Sequence, residues 1–575
     1  MIPQTDILRT MLRKLSWAIL PIIAFIAFGG SLAHDFAPID DHFLILQNLA
    51  IRGVTFENLR TIFTSYDPEL YIPLTLFTYQ LNYLAGGLEP FGYHLVNATL
   101  HAANGVLVFF VVQAFVNADR RSTELTANNR RPYDAWTALL AASLFTVHPI
   151  HTQSVVWIAG RKDLLMTMFF LLSFLAFVRN RQWWSLGFFL LACLSKVTAI
   201  TLPAVLILHE AITHKSVNLK NKTPFFIISI LFILIAFGGK ERIVGNADWI
   251  STVLFAGRGA VLGLQKLVLP TGLSIFYPAA QNANLLSPAL LISSLIMILL
   301  IFFMWFGRRK WQWLSIGLAV YIITIAPALI NLKTGGQQYI FADRYAYLPS
   351  VGIFFILAYL LAKIPLKASM ITAVILLSTL TMLTIRQVTT WSTPEKLFSH
   401  ALGLYPASVP ARTALAKAYR EAGKYEEAFS ILKEGLRYGD DVRLFLGAGA
   451  VYARVGQTKD AAEQFGKARA IAPDNPEPSF ALGSLEEQLG NVIAAQAHYE
   501  RAVELDPSYA AVRAALGKIY LNQERGADAR AQFAEALRWN PNSREAHEGM
   551  VNMFEAEGDG VAATEHRRKA DALRL

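Results

Sequence analysis

The sequence predicts an all-α protein in two parts, a polytopic bundle of membrane-spanning helices followed by a solenoid of helical hairpins. Three observations predict it. Apolar runs near the length needed to cross about 30 Å of hydrocarbon recur through the first 385 residues. The 575-residue chain is 54% hydrophobic and only 16% charged, a balance that excludes an ordinary soluble enzyme. After Trp391 the composition turns to Ala, Glu, Arg and Gly, and a repeat of 33 to 34 residues sets in.

The apolar runs fall at roughly 15–33, 92–117, 134–150, 160–178, 183–195, 197–212, 223–239, 285–307, 311–330, 349–363 and 368–385, which gives eleven expected spans. Segment 251–269 is apolar too, but Arg258 and Lys266 interrupt it, so an interfacial or re-entrant path is expected there. Lys and Arg clusters set the orientation: Arg9/Arg13/Lys14, Arg120/Arg121/Arg130/Arg131, Arg179/Arg181, Lys215/Lys220/Lys222, Arg308/Arg309/Lys310 and Lys363/Lys367 all share one side if 251–269 does not cross. The chain then starts in the cytosol and ends outside it, with an uncleaved first span expected rather than cleavage after Ala33. Seven acids, Asp35, Asp40, Asp41, Glu57, Asp67, Glu69 and Glu89, make the first outer loop (34–91) the most polar part of the membrane half.

Charge divides along the same line. Residues 1–408 carry 30 Lys/Arg against 17 Asp/Glu, net +13, and residues 409–575 carry 22 against 25, net −3. The basic excess therefore reports orientation and contact with membrane lipids, not a nucleic-acid partner. The lone cysteine, Cys193, permits no intramolecular disulfide.

In the second part the aligned positions are Leu415, Tyr419, Gly423 and Ala428; Gly449, Tyr452, Gly456, Ala461, Phe465, Ala468 and Pro473; Leu482, Gly483, Gly490, Ala495, Tyr499, Ala502 and Pro507; and Leu516, Gly517, Tyr520, Ala529, Phe533, Ala536 and Pro541. A degenerate fifth copy runs through Phe554, Gly558, Ala563 and Ala570. The small residues let paired helices approach, the aromatics fill the gap to the next hairpin, and proline ends the second helix. This resembles the tetratricopeptide repeat, whose arrays bind peptides in a concave groove. The expected division is a membrane domain over 1–390, a linker helix over 391–408 and about five repeats over 409–575.

Candidate chemistry clusters on the outer side. Asp40 and Asp41, just beyond the first span, suit a general base or a divalent-cation pair, or else form a solvated loop edge. His94, Asn97 and His101 share one face of the second span and point either into a cavity or onto a neighbouring helix. His148-Pro149-Ile150-His151 and Arg161-Lys162-Asp163 lie between the third and fourth spans, and no third ligand has metal spacing with the histidines. Arg161 and Lys162, with Lys196, Lys240, Arg242, Lys333 and Arg344, break the positive-inside pattern and so invite an anionic ligand such as a lipid phosphate, with an Arg161–Asp163 surface pair as the alternative.

Taken together, the acidic pair, Pro73-Leu74-Thr75 with Asn82, the His94/Asn97/His101 stripe, His148 through Thr152, Arg161 through Leu165, Ser195-Lys196, Arg344 with Tyr347 through Ser350, and the terminal repeats resemble one family. It is the transmembrane and tetratricopeptide-repeat-containing (TMTC) O-mannosyltransferases and their bacterial relatives, within the GT-C superfamily of polyprenyl-phosphate-sugar transferases. Ile72 stands where the family commonly has Arg, and Val197 where an acid often follows the Ser-Lys pair. The resemblance implies a GT-C type membrane bundle and an inverting transfer of a hexose, mannose favoured, from a polyprenyl-phosphate donor to Ser/Thr hydroxyls of extracytoplasmic proteins. It implies Asp41 or Asp40 as base and Arg161, Lys162, Lys196 and Arg344 as the donor-phosphate site. His94, Asn97, His101, His148, His151, Asp163 and Tyr347 would line the sugar cavity. No cofactor is required on this reading, although a divalent cation at Asp40/Asp41 stays open. The repeats would hold the polypeptide acceptor, and the protein would sit in a bacterial inner membrane with the repeats in the periplasm. The alternatives are a GT-C transferase acting on a glycolipid or polysaccharide, and a non-enzymatic membrane scaffold.

Overall fold

A computed structural model describes residues 16–66, 70–122, 133–213, 217–238, 249–278, 287–307, 310–329, 333–334 and 337–574. Among the residues singled out above, Arg9, Arg13, Lys14, Asp67, Glu69, Arg130, Arg131, Lys215, Lys240, Arg242, Arg308 and Arg309 lie outside the described residues. The chain divides into two compact units, residues 1–41 with 53–393, and residues 42–52 with 394–575.

The first unit is a helix bundle. Each of the eleven apolar runs coincides with a helix, and among the described residues six helical stretches are long and apolar enough to cross a membrane: Ser16–Ala33, Pro90–Val116, Lys220–Gly238, Pro288–Gly307, Gln312–Leu329 and Leu366–Thr389. Ala135–Val147, Gln182–Ser195, Val197–Ile212 and Ser350–Lys363 are apolar but shorter. The helix Arg161–Val178 opens on three charged residues. Where lipid is the solvent a helix need not hide its apolar surface, and Pro288–Gly307 leaves Leu291, Ile292, Leu295, Ile298, Leu299 and Phe302 exposed. Segment 251–269 lies within one continuous helix, Trp249–Val268, and neither of its charges is stranded: Arg258 Nη1 donates to Ser293 Oγ, and Lys266 Nζ donates to the Thr271 and Gly272 carbonyls. Next to it Tyr277–Pro278 and Lys333–Thr334 pair antiparallel with the strand Gln337–Phe341, forming the one small sheet of the described residues.

The sequence places residues 148–163 in an outer loop, and the structure corrects this. Three short helical turns, Pro149–His151, Thr152–Val156 and Ile158–Gly160, carry the chain into the next helix, and every residue from Ala141 to Thr167 is buried. This segment is a plug in the bundle. Its polar groups therefore answer to protein partners before they answer to any ligand.

The second unit is a stack of five helical hairpins from Val409 to Ala572, and the helix Pro394–Leu404 packs onto the first of them. Residues 391–408 are therefore not a free linker, because nearly all of them fold with the repeats. The unit also takes in residues 42–52, which enter as a π-helical turn, His42–Leu46, and a 3-10 turn, Leu49–Ile51. Leu44, Ile45, Ala50 and Ile51 of this segment are buried, and the Leu49 N–H donates to Asn542 Oδ1 at 3.1 Å.

The repeat pattern reads directly onto packing. A Cβ on Gly483 would come within 2.6 Å of the Tyr499 ring, so only glycine lets that hairpin close. The turns between paired helices need a left-handed residue, supplied by Gly423, Gly456, Gly490 and Gly558 at φ near 74 to 79°. The fourth hairpin has Glu524 there instead, at φ 61°. A non-glycine residue in that region is strained, so Glu524→Gly stabilises the unit by about 0.5–1 kcal/mol, read as slower amide exchange in Ala510–Trp539 of the full chain.

The last hairpin carries a histidine pair, His547 buried and His566 half-buried. His547 donates through Nε2 to the Pro541 carbonyl at 3.0 Å, so its Nδ1 is the acceptor for His566 Nδ1 at 2.9 Å. Burial pulls the His547 imidazole down to about 4; His566 and Lys569 press the same way, while the Pro541 carbonyl and Glu565 oppose them. A base with a depressed folded pKa adds stability above its unfolded value near 6.5 and loses it as pH falls towards 4. Protection of Arg544–Ala572 therefore drops by about 2–3 kcal/mol between pH 7.5 and pH 4.5. In His547→Gln that slope flattens.

Candidate active site

Asp40 and Asp41 follow the first membrane helix and divide the work between them. Asp41 is fully buried, and each of its oxygens accepts a backbone N–H, Oδ2 from Ala37 at 2.9 Å and Oδ1 from Ala159 at 2.8 Å. Burial pushes its carboxyl up to about 7, the adjacent Asp40 charge adds to this, and the two N–H groups and Lys162 oppose it. Asp41 thus ties the first outer loop to the plug. Asp40 is half-exposed, with Oδ2 3.4 Å from Lys162 Nζ. The pair is therefore divided, Asp41 giving both oxygens to backbone N–H groups while Asp40 stays half-exposed beside Lys162.

Beyond Asp40 lies a cluster of cations on an aromatic floor. Lys162 Nζ sits 5.2 Å from the Trp157 ring centroid, and the Arg344 guanidinium lies 5.1 Å from the same ring and 5.0 Å from that of Tyr345. Lys196 Nζ pairs with Asp163 Oδ1 at 2.5 Å and lies 5.9 Å from the Tyr345 ring. Arg344 and Lys196 both lie close enough to Lys162 to repel it. The Arg344 backbone N–H is fixed by Gln153 Oε1 at 2.9 Å. Lys162 faces Asp40 and Lys196 is paired with Asp163, whereas Arg344, partly exposed, has no ion-pair partner among the described residues, with the buried Asp41 and Asp343 near Lys162 and Arg344 respectively. This is a setting for a phosphate.

Arg161 does not join that cluster. It is fully buried, and its Nε donates to Asn97 Oδ1 at 2.9 Å, its Nη2 to the Tyr93 carbonyl at 2.9 Å, and its Nη1 to Asn82 Oδ1 and to Thr78. The Tyr79 ring stacks on it with the centroid 4.6 Å away. The expected role for Arg161 on a donor phosphate is corrected accordingly, because its donors are consumed by helix-to-helix contacts. The expected Arg161–Asp163 surface pair is also absent, Asp163 being paired with Lys196.

The polar stripe of the second span faces protein. Asn97 Nδ2 donates to the carbonyls of Val155, Trp157 and Ile158, which holds the plug against the helix Pro90–Ser122. His101 bonds the Tyr347 hydroxyl at 2.8 Å and the Thr146 carbonyl at 2.9 Å. His151 bonds the Phe145 carbonyl and Ser350 Oγ, and His148 accepts from the Ile150 N–H. Tyr347, fully buried, also accepts from Asn104 Nδ2. The sugar-cavity assignment of Asn97, His101, His148, His151 and Tyr347 is therefore corrected to a buried hydrogen-bond network that shapes the plug. His94 lies nearer the outer loop, its ring centroid 6.3 Å from that of His34.

Several participants escaped sequence reasoning. Trp157 and Tyr345 stand inside quoted motifs, but nothing in a sequence marks an aromatic as the floor under a lysine or arginine. Asp343 is buried, accepts from the Tyr277 hydroxyl at 2.6 Å, and has its carboxyl pushed by burial up to about 7. Its neighbour in sequence, Arg344, drew the attention.

Two models of the tetratricopeptide repeat match residues 413–476 and 488–551. Among curated proteins the chain is 28% identical over 494 residues to the human protein O-mannosyl-transferase TMTC4, covering 72% of this chain and 65% of that one. It is 24% identical over 551 residues to human TMTC3, covering 82% and 58%, and 25% identical over 460 residues to the Caenorhabditis elegans protein O-mannosyl-transferase F38B6.6, covering 73% and 61%. The chain thus spans roughly three-fifths of the length of these relatives. These matches, taken with the repeats and the apolar helices, make the chain a membrane protein homologous over most of its length to the proteins named TMTC O-mannosyl-transferases.

Proposed function

We propose that the protein is an inverting glycosyltransferase that moves a hexose, mannose by preference, from a polyprenyl-phosphate donor to Ser/Thr hydroxyls of extracytoplasmic polypeptides. The observation that carries this reading is a half-exposed carboxylate, Asp40, bordering a cluster of three cations of which Arg344 has no ion-pair partner among the described residues. The names of the relatives support the same class of reaction. In the transfer the acceptor oxygen attacks the anomeric carbon as its proton passes to Asp40. The bond from that carbon to the phosphate oxygen breaks, and the electron pair leaves with the lipid phosphate, whose added charge Lys162, Lys196 and Arg344 offset. Asp41 positions Asp40 through the main chain. The repeats supply polypeptide binding, and no metal is needed for any of these steps.

The test uses the full chain in nanodiscs with polyprenyl-phospho-mannose and an unstructured Ser/Thr-rich peptide, read by intact mass. The expected result is a hexose-sized gain on the peptide, lost when donor is omitted. Peptide left unmodified while a glycolipid acceptor gains the hexose would move the acceptor class and keep the chemistry. No transfer to either would sink the reading.

A further inference from the structure

At the far end of the helix that begins with Arg161 and Lys162 lies a second site of different character. That helix runs 18 residues to Val178. Such a length is about 27 Å, close to the thickness of the hydrocarbon core. Its last turn, the turn that follows and the helix Gln182–Ser195 enclose a cavity of about 580 Å³. Leu107 and Phe110 from the helix Pro90–Ser122, Leu172 and Leu175 from the helix Arg161–Val178, and Trp184 and Phe188 form its apolar walls. Arg179 and Arg181 sit at its rim, and among the described residues no acidic one lines it.

The turn that presents these two arginines is tightly specified. The Arg179 N–H donates to the Leu175 carbonyl, the Asn180 N–H to Phe177 and the Arg181 N–H to Ala176, with Asn180 left-handed at φ 58°. This closure of the helix end places one guanidinium on either side of Asn180. Both arginines are exposed, and among the described residues neither has an ion-pair partner. Beside them Trp183 and Trp184 are 85% and 67% exposed. Large exposed indoles next to arginines at the end of a membrane-length helix are the signature of the lipid–water interface.

We infer that this groove holds an anionic glycerophospholipid, with the phosphate between Arg179 and Arg181 and an acyl chain along the wall of Leu107, Phe110 and Leu172. A zwitterionic lipid would bring a third cation to a rim that already has two and, among the described residues, no carboxylate to receive it. A free phosphate would satisfy the arginines and leave the apolar walls facing nothing of their own kind. Basic pockets between membrane helices on the side with the anionic leaflet take such head groups. The site uses none of the residues assigned to sugar transfer, so it stands or falls independently of that reading.

The full chain, purified in a mild detergent and mixed with equal amounts of phosphatidylglycerol and phosphatidylcholine, is examined by native mass spectrometry. Phosphatidylglycerol is expected to be retained over phosphatidylcholine by roughly tenfold, and the double substitution Arg179→Gln/Arg181→Gln to bring the ratio to about one. Equal retention by the wild type overturns the inference, as does a preference that survives the double substitution. A second readout needs no change of charge. In nanodiscs, the part of the fluorescence quenching that disappears in Trp184→Phe is expected to be greater with brominated phosphatidylglycerol than with brominated phosphatidylcholine at the same mole fraction. Equal quenching overturns the inference.

Discussion

Asp40→Asn lowers sugar transfer by about 10²- to 10⁴-fold and leaves folded yield and melting temperature where they were. The substitution removes the proton acceptor and keeps the shape. Because Asp40 is half-exposed and its one ion pair among the described residues is with Lys162 at 3.4 Å, little of the fold depends on its charge. Asp41→Asn behaves in the opposite way. Asparagine offers one carbonyl oxygen where Asp41 offers two acceptors, so either the Ala37 or the Ala159 N–H meets an NH₂ group in a fully buried setting. The cost is about 1–3 kcal/mol of stability, with activity falling only in step with the folded fraction. Measuring rate and melting on both variants separates the roles. If Asp40→Asn keeps the wild-type rate while Asp41→Asn melts normally and loses transfer, the base is Asp41.

The largest effect on stability is expected at Arg161. Arg161→Ala leaves Asn97 Oδ1, Asn82 Oδ1 and the Tyr93 carbonyl without their guanidinium donor in a largely buried site, and it removes the cation stacked on Tyr79. Breaking a buried charged hub of this kind costs about 3–5 kcal/mol, enough to remove most of the folded protein. Arg161→Lys is not a rescue, since an ammonium cannot reach acceptors arranged for a planar fork. A phosphate-binding arginine would give another signature, a raised KM for donor with normal melting. Expression level and thermal melting in detergent, measured beside donor KM, decide between the two.

These cases show what could be read in advance. The helices of the bundle follow from apolar length alone, a local property that one sequence displays in full. The repeat follows from spacing, since glycine, alanine and the aromatics recur wherever one hairpin meets the next, and Gly483 against Tyr499 shows why. That Lys162, Lys196 and Arg344 would gather was legible from the cations that break the positive-inside pattern. Their division of labour was not. Arg161 and Lys162 are neighbours in sequence with one charge each, and only partners far along the chain make one a brace and leave the other beside a carboxylate. The His94, Asn97 and His101 stripe was correctly read as one face, but the spacing of residues on a helix says nothing about whether that face meets a cavity or another segment. Here Asn97 bonds the plug, and the His101 ring lies against that of His151 within it.

The eleven residues that follow Asp41 fold with the repeats, although more than 340 residues of the first unit separate them in sequence. A stop codon at Thr393 would therefore not yield an intact membrane half. It would leave Leu44, Ile45, Ala50 and Ile51 as an orphaned apolar strip on the loop that bears the acidic pair. The repeats expressed alone would likewise lack part of their own interior. Exchanging the repeats of this protein is thus a two-site operation, and His42–Arg52 must travel with them.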